Sequence, residues 1–254
     1  GVPPDMFSKD GQDWGNPLYD WEALKADGYE WWLGRIRQCA ERFDILRFDH
    51  FRGLSEYFAI PDDGKPKDGF WQHSAGLAFI AAMRDMLRTE GFGLKLLMED
   101  LGFLDAGVKN LLKLTGLPGM DIWQFSSDYM QTMSDEDPQK AENRAFYTGT
   151  HDNNTLLGYL WETPTDQKNE VMRYCVCDEN QWNENGCKAI IRTIMASNAG
   201  LAIFPVQDLL GYGNDTRLNV PGRAEGNWLY RITKEQLNLI DTNYYKKLNE
   251  LYGR

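Results

Sequence analysis

The chain has 254 residues, of which 42% are hydrophobic and 26% charged, so it can bury a substantial core and is not a disordered segment. Its formal net charge of −11 argues against a nucleic-acid surface, because phosphate contacts need clustered Lys and Arg. No stretch approaches the roughly 20 apolar residues of a membrane span, so we expect no membrane partner. The four cysteines lack the spacing of a disulfide scaffold or a zinc site. We therefore expect no metal, no other cofactor and a cytoplasmic location.

In chain order, residues 1–20 are predicted to form a loop because Gly and Pro punctuate them. Apolar residues then recur at helical spacing over residues 21–42, with Asp20 as the N-cap. Short apolar runs typical of buried strands follow, at residues 45–49, 94–100, 120–125, 144–154 and 201–204. Further helices are predicted near residues 76–88, 106–114, 168–177, 187–196 and 234–251.

Strands that alternate with helices predict a parallel α/β sheet, because a crossover between parallel strands needs a helix. Several of these strands end in polar residues at their carboxyl ends, which is typical of a (β/α)₈ TIM barrel with its active site on that face. A doubly wound sheet is the alternative, since its ligands also bind at strand carboxyl ends. No Gly-rich phosphate loop follows a strand, which disfavours the nucleotide-binding version of that fold.

Three acids follow predicted strands: Asp49, Glu99 and Asp152. They are about 50 residues apart and can meet only if the strand ends converge at one face of the sheet. Cleavage of a glycosidic bond needs two carboxyl groups, one to protonate the leaving oxygen and one to attack or stabilise the cationic sugar. A third acid can hold sugar hydroxyls. The alternative for each acid alone is a helix cap or a solvated loop residue.

The residues that precede Asp49 and Glu99 indicate different roles for these two acids. Arg47 precedes Asp49 by two residues, so both point to one side of a strand and the guanidinium keeps the carboxylate ionised, as a nucleophile requires. Glu99 follows an apolar run, and a poorly solvated carboxyl has a raised pKa that suits an acid/base.

Six sequence blocks, in order, carry a family resemblance. The blocks RFDHFRG, MEDLG, LPGM, YTGTHDNNT and FPVQDLLG…RLNVPGRAEGNW resemble the amylomaltase or 4-α-glucanotransferase family (disproportionating enzymes, glycoside hydrolase family 77), and residues 1–20 resemble its acceptor-side loop. The resemblance covers nearly the whole chain. It implies a (β/α)₈ barrel that transfers α-1,4-glucan segments, by a retaining mechanism, from a glucan or maltooligosaccharide donor to glucose or a maltooligosaccharide acceptor.

The resemblance also implies roles for individual residues. Asp49 corresponds to the nucleophile, Glu99 to the general acid/base and Asp152 to the transition-state stabiliser. The positions that correspond to substrate-binding residues are Arg47, His50, His151, Phe7, Gln12, Trp14, Asn16, Phe125 and Asp128. We expect Arg52 to be structural, and Trp31 and Trp32 to belong to the core.

In the family, the three acids follow strands four, five and seven, whereas here they follow the first, second and fourth predicted strands. We therefore expect residues 1–254 to be the C-terminal part of one catalytic barrel domain, strands four to eight, and to be weakly active or inactive alone. The alternative functions are a retaining α-glucosidase or amylase-type hydrolase and a non-catalytic glucan-binding protein.

Overall fold

A computed structural model describes residues 1–4, 8–102, 104–125, 142–223 and 225–254. The predictions for Phe7 and Asp128 lie outside the described residues. The chain divides into two compact units, Gly1–Gly119 and Met120–Arg254, and each has its own cluster of buried apolar side chains. That residues 1–254 form one catalytic domain stays a prediction.

The first unit contains most of the strands and helices predicted for its sequence. Its described helices and strands are α1 (Trp21–Ala26), α2 (Glu30–Ala40), β1 (Ile45–Phe48), α3 (Arg52–Ser55), β2 (Glu56–Ala59), β3 (Phe70–His73), α4 (Gly76–Thr89), β4 (Lys95–Met98) and α5 (Ala106–Thr115). Strands β1 and β4 pair in parallel, with Phe48 opposite Met98. Asp49 and Glu99 follow these two residues and therefore lie at the same, carboxyl end of the strand pair.

Two details of the first unit differ from the sequence prediction. The helix predicted over residues 21–42 is two helices, because Gly28 and Tyr29 adopt positive φ angles of 72° and 63° and end the first of them. The Asp20 cap is confirmed: its carboxylate accepts a hydrogen bond from the Ala23 amide at 3.0 Å. The antiparallel hairpin of β2 and β3 was not predicted, because only its connecting loop carries a strong local signal, of Gly and Pro.

The second unit contains a three-stranded sheet in the order β5–β6–β7, with β6 and β7 parallel. Its described helices and strands are β5 (Gly119–Ile122, which begins at the unit boundary), β6 (Arg144–Tyr147), α6 (Leu156–Glu162), α7 (Thr165–Tyr174), α8 (Glu184–Met195), β7 (Leu201–Ile203), α9 (Val206–Leu209), α10 (Lys234–Leu237) and α11 (Thr242–Tyr252). Helix α8 is the centre of the core, with Ile190, Ile191 and Ile194 fully buried. The predicted parallel α/β pattern is confirmed for the β1–β4 and β6–β7 pairs.

The sequence prediction for the second unit was wrong in two places. Helix α6 was not predicted, because its sequence LLGYLWE is a short, mainly apolar run with little helical periodicity. The closing helix predicted over residues 234–251 is interrupted, and its second part restarts at Asp241, whose carboxylate accepts a hydrogen bond from the Tyr244 amide at 3.0 Å. An N-cap of this kind satisfies an amide that has no partner within the helix.

Candidate active site

The carboxylate of Glu99 is held in place by the backbone. Its Oε2 atom accepts a hydrogen bond from the His50 amide at 2.7 Å, and Oε1 accepts one from the Leu101 amide at 2.8 Å. The backbone of Glu99 continues the strand pairing, since its amide donates to the Phe48 carbonyl and its carbonyl accepts from the Phe51 amide. The register of β1 and β4 thus fixes Glu99 beside the segment that carries Asp49 and His50.

Burial raises the pKa of Glu99 above its ordinary value, and the nearby Asp49 charge acts in the same direction. The two backbone amides and Arg47 oppose this increase in pKa without reversing it. A glutamic acid that keeps its proton to higher pH is suited to donate it to a leaving oxygen. The raised pKa predicted from the sequence is confirmed, while the catalytic role of Glu99 stays a prediction.

Asp49 pairs with Arg47, as the two-residue spacing predicts. The Nη1 atom of Arg47 lies 2.6 Å from the Oδ1 atom of Asp49. The Asp49 side chain is nevertheless 77% exposed, so its second oxygen is open to a ligand. The ion pair therefore orients the carboxylate without covering it.

His50 links the acidic pair to the loop at the start of the chain. Its backbone adopts a φ of 49°, unusual for a residue other than glycine, and this conformation turns its amide toward Glu99. Burial lowers the pKa of its imidazole; the Asp49 charge opposes this decrease, and Arg52 adds to it. The Trp14 ring meets the imidazole edge-on at 5.1 Å, and its Nε1 donates to Gln12 Oε1 at 3.1 Å.

A cavity of about 310 Å³ opens beside Asp49 and His50 within the first unit. Asp49, His50 and Trp14 line one part of it, and the remaining wall is mainly aromatic. The other lining side chains include Asn16, Tyr19, Trp21, Trp32, Phe48 and Tyr57. Apolar flat walls with a few polar groups suit the alternating faces and hydroxyl edges of a sugar. Of the predicted acceptor-side residues, Trp14 and Asn16 reach this cavity, and Gln12 supports Trp14.

Three predictions about structural residues have mixed outcomes. Arg52 forms an ion pair with Asp105 at 2.7 Å and stacks 4.1 Å above the Trp71 ring, so its predicted structural contacts are confirmed. Trp32 packs against the core as predicted. The prediction for Trp31 is wrong, because its ring is 50% exposed and packs on the guanidinium of Arg35 instead.

Asp152 and His151 lie together in the second unit. The Oδ2 atom of Asp152 is 3.1 Å from His151 Nε2, and the imidazole lies 5.5 Å from the Trp228 ring. On its other side, Asp152 Oδ1 accepts a hydrogen bond from Asn219 Nδ2 at 2.5 Å, and its carbonyl accepts one from Arg217 at 2.8 Å. Because Asp49 and Glu99 belong to the other unit, the convergence of the three acids stays a prediction.

The sequence analysis missed Arg217, Asn219 and Asp208. The first two lie in the block RLNVPGRAEGNW, which carried family resemblance, but no local pattern indicates which of its side chains contact an acid 65 residues away. Phe125 is at the end of a short 3₁₀ turn after β5 and is 58% exposed; its predicted contact with substrate stays a prediction.

Asp208 is a buried carboxyl group, only 1% exposed. Burial raises its pKa to about 6, although hydrogen bonds from Leu156 and Thr148 oppose the increase. Burial raises the pKa of the Cys187 thiol on helix α8, and the charge of Asp208 acts in the same direction. In the unfolded chain an Asp has a pKa of about 3.9.

This difference in the pKa of Asp208 predicts a pH dependence of stability. As pH rises from about 4 to about 6, the unfolded chain loses the Asp208 proton before the folded chain does, so folding is progressively penalised. Two pKa units correspond to about 3 kcal/mol. We therefore expect Asp208→Asn to gain up to about 3 kcal/mol in unfolding free energy, relative to the unchanged chain, between pH 4 and pH 7. Urea titrations of both proteins at several pH values measure this difference; a difference independent of pH contradicts it.

Among the described residues, no group of three or more His, Cys, Asp or Glu side chains could hold a metal ion. No described helix is both long and apolar enough to cross a bilayer.

Comparisons with known proteins agree with the geometry. The family model for 4-alpha-glucanotransferase, glycoside hydrolase family 77, matches residues 1–237. A 4-alpha-glucanotransferase of Synechocystis sp. is 40% identical over an alignment of 264 residues, which covers 100% of this chain and 50% of the relative. A chloroplastic/amyloplastic 4-alpha-glucanotransferase of Solanum tuberosum is 37% identical over 100% of this chain and 44% of its own length. The amylomaltase from Streptococcus agalactiae, solved in complex with acarbose, superposes with a TM-score of 0.88 at 35% identity, over 100% of this chain and 50% of that one.

The α/β fold of this chain is thus of the amylomaltase type. The chain belongs to the 4-alpha-glucanotransferase family, glycoside hydrolase family 77. It spans about half the length of the curated relatives that it matches.

Proposed function

We propose that this chain carries the catalytic acids of a 4-α-glucanotransferase. The observation that carries the proposal is the arrangement at the ends of β1 and β4, where an exposed carboxylate paired with arginine follows one strand and a half-buried carboxyl with a raised pKa follows the other. Two carboxyl groups in these two states are what a retaining reaction on a glycosidic bond needs.

The proposed reaction has two displacements. In the first, an Asp49 oxygen attacks the anomeric carbon of an α-1,4-glucan while Glu99 donates its proton to the departing glycosidic oxygen. In the second, Glu99 takes a proton from the 4-hydroxyl of the acceptor, whose oxygen displaces Asp49 from the anomeric carbon. The configuration is retained because each displacement inverts it once. Asp152 stabilises the positive charge that develops on the sugar ring, and His50 and His151 bind sugar hydroxyls.

The acceptor is proposed to bind over the aromatic cavity of the first unit. Trp14 offers a ring face for a sugar, and Asn16 adds a polar group within the same cavity. An acceptor sugar stacked there excludes water from the bond to Asp49, which favours transfer over hydrolysis. The proposed donors and acceptors are maltooligosaccharides and starch-type glucans, with glucose as the smallest acceptor.

The five strands predicted from the sequence are proposed to be strands four to eight of a (β/α)₈ barrel. The supporting observations are the two parallel pairs and the coverage of about half of each relative. A sheet that lacks part of a closed barrel has unpaired edges and lacks the sugar contacts of the other strands. We therefore propose that the 254-residue chain alone is weakly active or inactive.

The test is incubation with maltotriose, followed by chromatography of the products. Two samples are compared: the 254-residue chain, and an extended form with a segment of the Synechocystis relative, proposed to hold strands one to three, fused upstream of Gly1. A ladder of glucose and longer maltodextrins from the extended form alone is the expected result. A ladder from the 254-residue chain contradicts the proposed dependence on the other half, and glucose and maltose alone from the extended form indicate a hydrolase.

A further inference from the structure

The buried carboxylate of Asp208 makes two hydrogen bonds that have no place in the reaction proposed above. Its Oδ2 atom accepts from the Thr148 hydroxyl at 2.5 Å, and its Oδ1 atom accepts from the Leu156 amide at 2.7 Å. Thr148 is the residue that follows β6, and Leu156 is the first residue of α6. Between them lie residues 149–155, here called the Asp152 loop, which carries His151 and Asp152.

One side chain therefore holds both ends of the Asp152 loop. The amide of Leu156 is at a helix start, where amides have no partner within the helix, and Asp208 supplies that partner. The hydroxyl of Thr148 is fully buried and depends equally on Asp208 for an acceptor. Loss of the carboxylate would free the two ends together, because each end loses a buried hydrogen bond.

The Asp152 loop is braced internally between these ends. The Asn153 side-chain oxygen accepts from both the amide and the hydroxyl of Thr150, at 2.8 and 2.9 Å. From outside the loop, Gln124 Nε2 donates to the Asn154 carbonyl at 2.8 Å, and Arg217 and Asn219 donate to Asp152. The internal bonds couple the loop to its ends, so we expect a shift at the ends to alter the position of Asp152.

The burial of Asp208 is explained by the two hydrogen bonds that its side chain makes. Both of its hydrogen-bond donors are neutral groups, so its ionised form is buried at a cost in free energy. An apolar residue of similar volume would avoid that cost but would leave the Leu156 amide and the Thr148 hydroxyl without acceptors. A carboxylate has two oxygens that can serve two donors from different directions at once.

We propose that Asp208 is a positioning residue, which holds the Asp152 loop at both ends and so places the Asp152 carboxylate for the reaction. The catalytic part of this inference rests on the proposed function, whereas the placement of the loop does not. Asparagine is the conservative replacement, because its oxygen can accept from Leu156 while its amide group donates to Thr148 Oγ1. Alanine can form a hydrogen bond with neither Thr148 nor Leu156.

The first readout is the NMR spectrum of the imidazole rings in the 254-residue chain. The chain contains three histidines, and only His151 lies on the Asp152 loop, where it contacts the ring of Trp228. In Asp208→Ala we expect the His151 signals to lose the shift caused by the Trp228 ring, and the Leu156 amide to exchange at least about tenfold faster. In Asp208→Asn the signals should stay near their original positions, and His73 should be unaffected in both variants. Asp121→Ala is the matched control, because it removes a carboxylate of the same unit whose ion pair, with Arg144 at 2.8 Å, lies at the opposite end of β6 from the loop.

The second readout is the kinetics of the extended form. Asp208→Ala should lower kcat with little change in KM, since Asp152 acts on the transition state, and Asp208→Asn should restore kcat. An unchanged His151 spectrum in Asp208→Ala overturns the proposal, and so does a displaced loop with unchanged kcat. If the unsubstituted extended form is inactive, the proposed function fails and the NMR comparison alone decides the positioning role.

A smaller change keeps the test decisive if Asp208→Ala does not fold. Thr148→Val removes only the hydroxyl at the β6 end at nearly constant volume, and Thr148→Ser retains the hydroxyl. Displacement of the His151 signals in the valine variant, and their return in the serine variant, supports the proposal. Identical His151 spectra in both variants overturn it.

Discussion

Replacement of Glu99 with glutamine is expected to lower kcat for maltotriose disproportionation by the extended form about 10²–10⁴-fold. Glutamine keeps the shape and one acceptor oxygen but has no proton to give to the leaving oxygen. Binding of maltooligosaccharide, measured by calorimetry, should barely change, because Glu99 is held by the His50 and Leu101 amides and not by the substrate. Loss of turnover with retained binding also distinguishes an enzyme from a glucan-binding protein, because a binding protein has no turnover before the substitution.

A donor that needs no proton isolates the role of Glu99. Fluoride departs without protonation, so α-glucosyl fluoride should react in Glu99→Gln and leave a glucosyl group on Asp49, since the second displacement then lacks its base. Mass spectrometry of the intact protein detects this adduct. Glu90→Gln is the matched control, because Glu90 pairs with Arg37 on the surface of the same unit and should retain full activity. Unchanged maltotriose turnover in Glu99→Gln would sink its assignment as acid/base.

Replacement of Asp49 with asparagine is expected to reduce transfer on the order of 10⁴-fold or more, because the covalent intermediate can no longer form. Folding should be little affected, since the Asp49 side chain is 77% exposed and an exposed ion pair contributes about 0–1 kcal/mol. A thermal melt close to that of the unchanged protein, together with lost transfer in the maltotriose assay, is the expected combination.

An external nucleophile distinguishes loss of attack from general damage. In Asp49→Ala, azide can enter the space left by the carboxylate and attack α-glucosyl fluoride, which should yield β-glucosyl azide with inverted configuration. Asp44→Asn, just before β1, is the matched control and should transfer normally. If azide gives no product and Asp49→Asn keeps its activity, another carboxylate is the nucleophile.

Local sequence patterns predicted the strands and most helices of this chain. Short apolar runs bounded by polar residues predicted the strands at Ile45–Phe48 and Lys95–Met98. The predicted burial is confirmed for Leu96, Leu97 and Met98 of β4 but is wrong for β1, whose Ile45 is 43% exposed. The Arg47–Asp49 ion pair followed from a spacing of two, and the raised pKa of Glu99 followed from its apolar approach. These features depend on residues that are close in sequence.

Features that depend on distant residues or on single backbone angles were not predicted. The break between α1 and α2 depends on a positive φ at Tyr29, which apolar periodicity does not reveal. The pairing of β2 with β3 depends on hydrogen bonds across an intervening loop. Arg217 and Asn219 reach Asp152 across 65 and 67 residues, a distance at which the sequence carries no periodic signal.

Patterns within the sequence predicted which acids follow strands, the order of those strands and the family to which the chain belongs. How those acids are held depends on contacts that form only in the folded chain. Glu99 acquires its hydrogen bond from the His50 amide because β1 and β4 pair in parallel, and Asp208 acquires its two contacts because β6 and α6 meet at one point in space. Chemical type is a property of the residue, whereas solvation and hydrogen-bond partners are set by neighbours that only folding brings together.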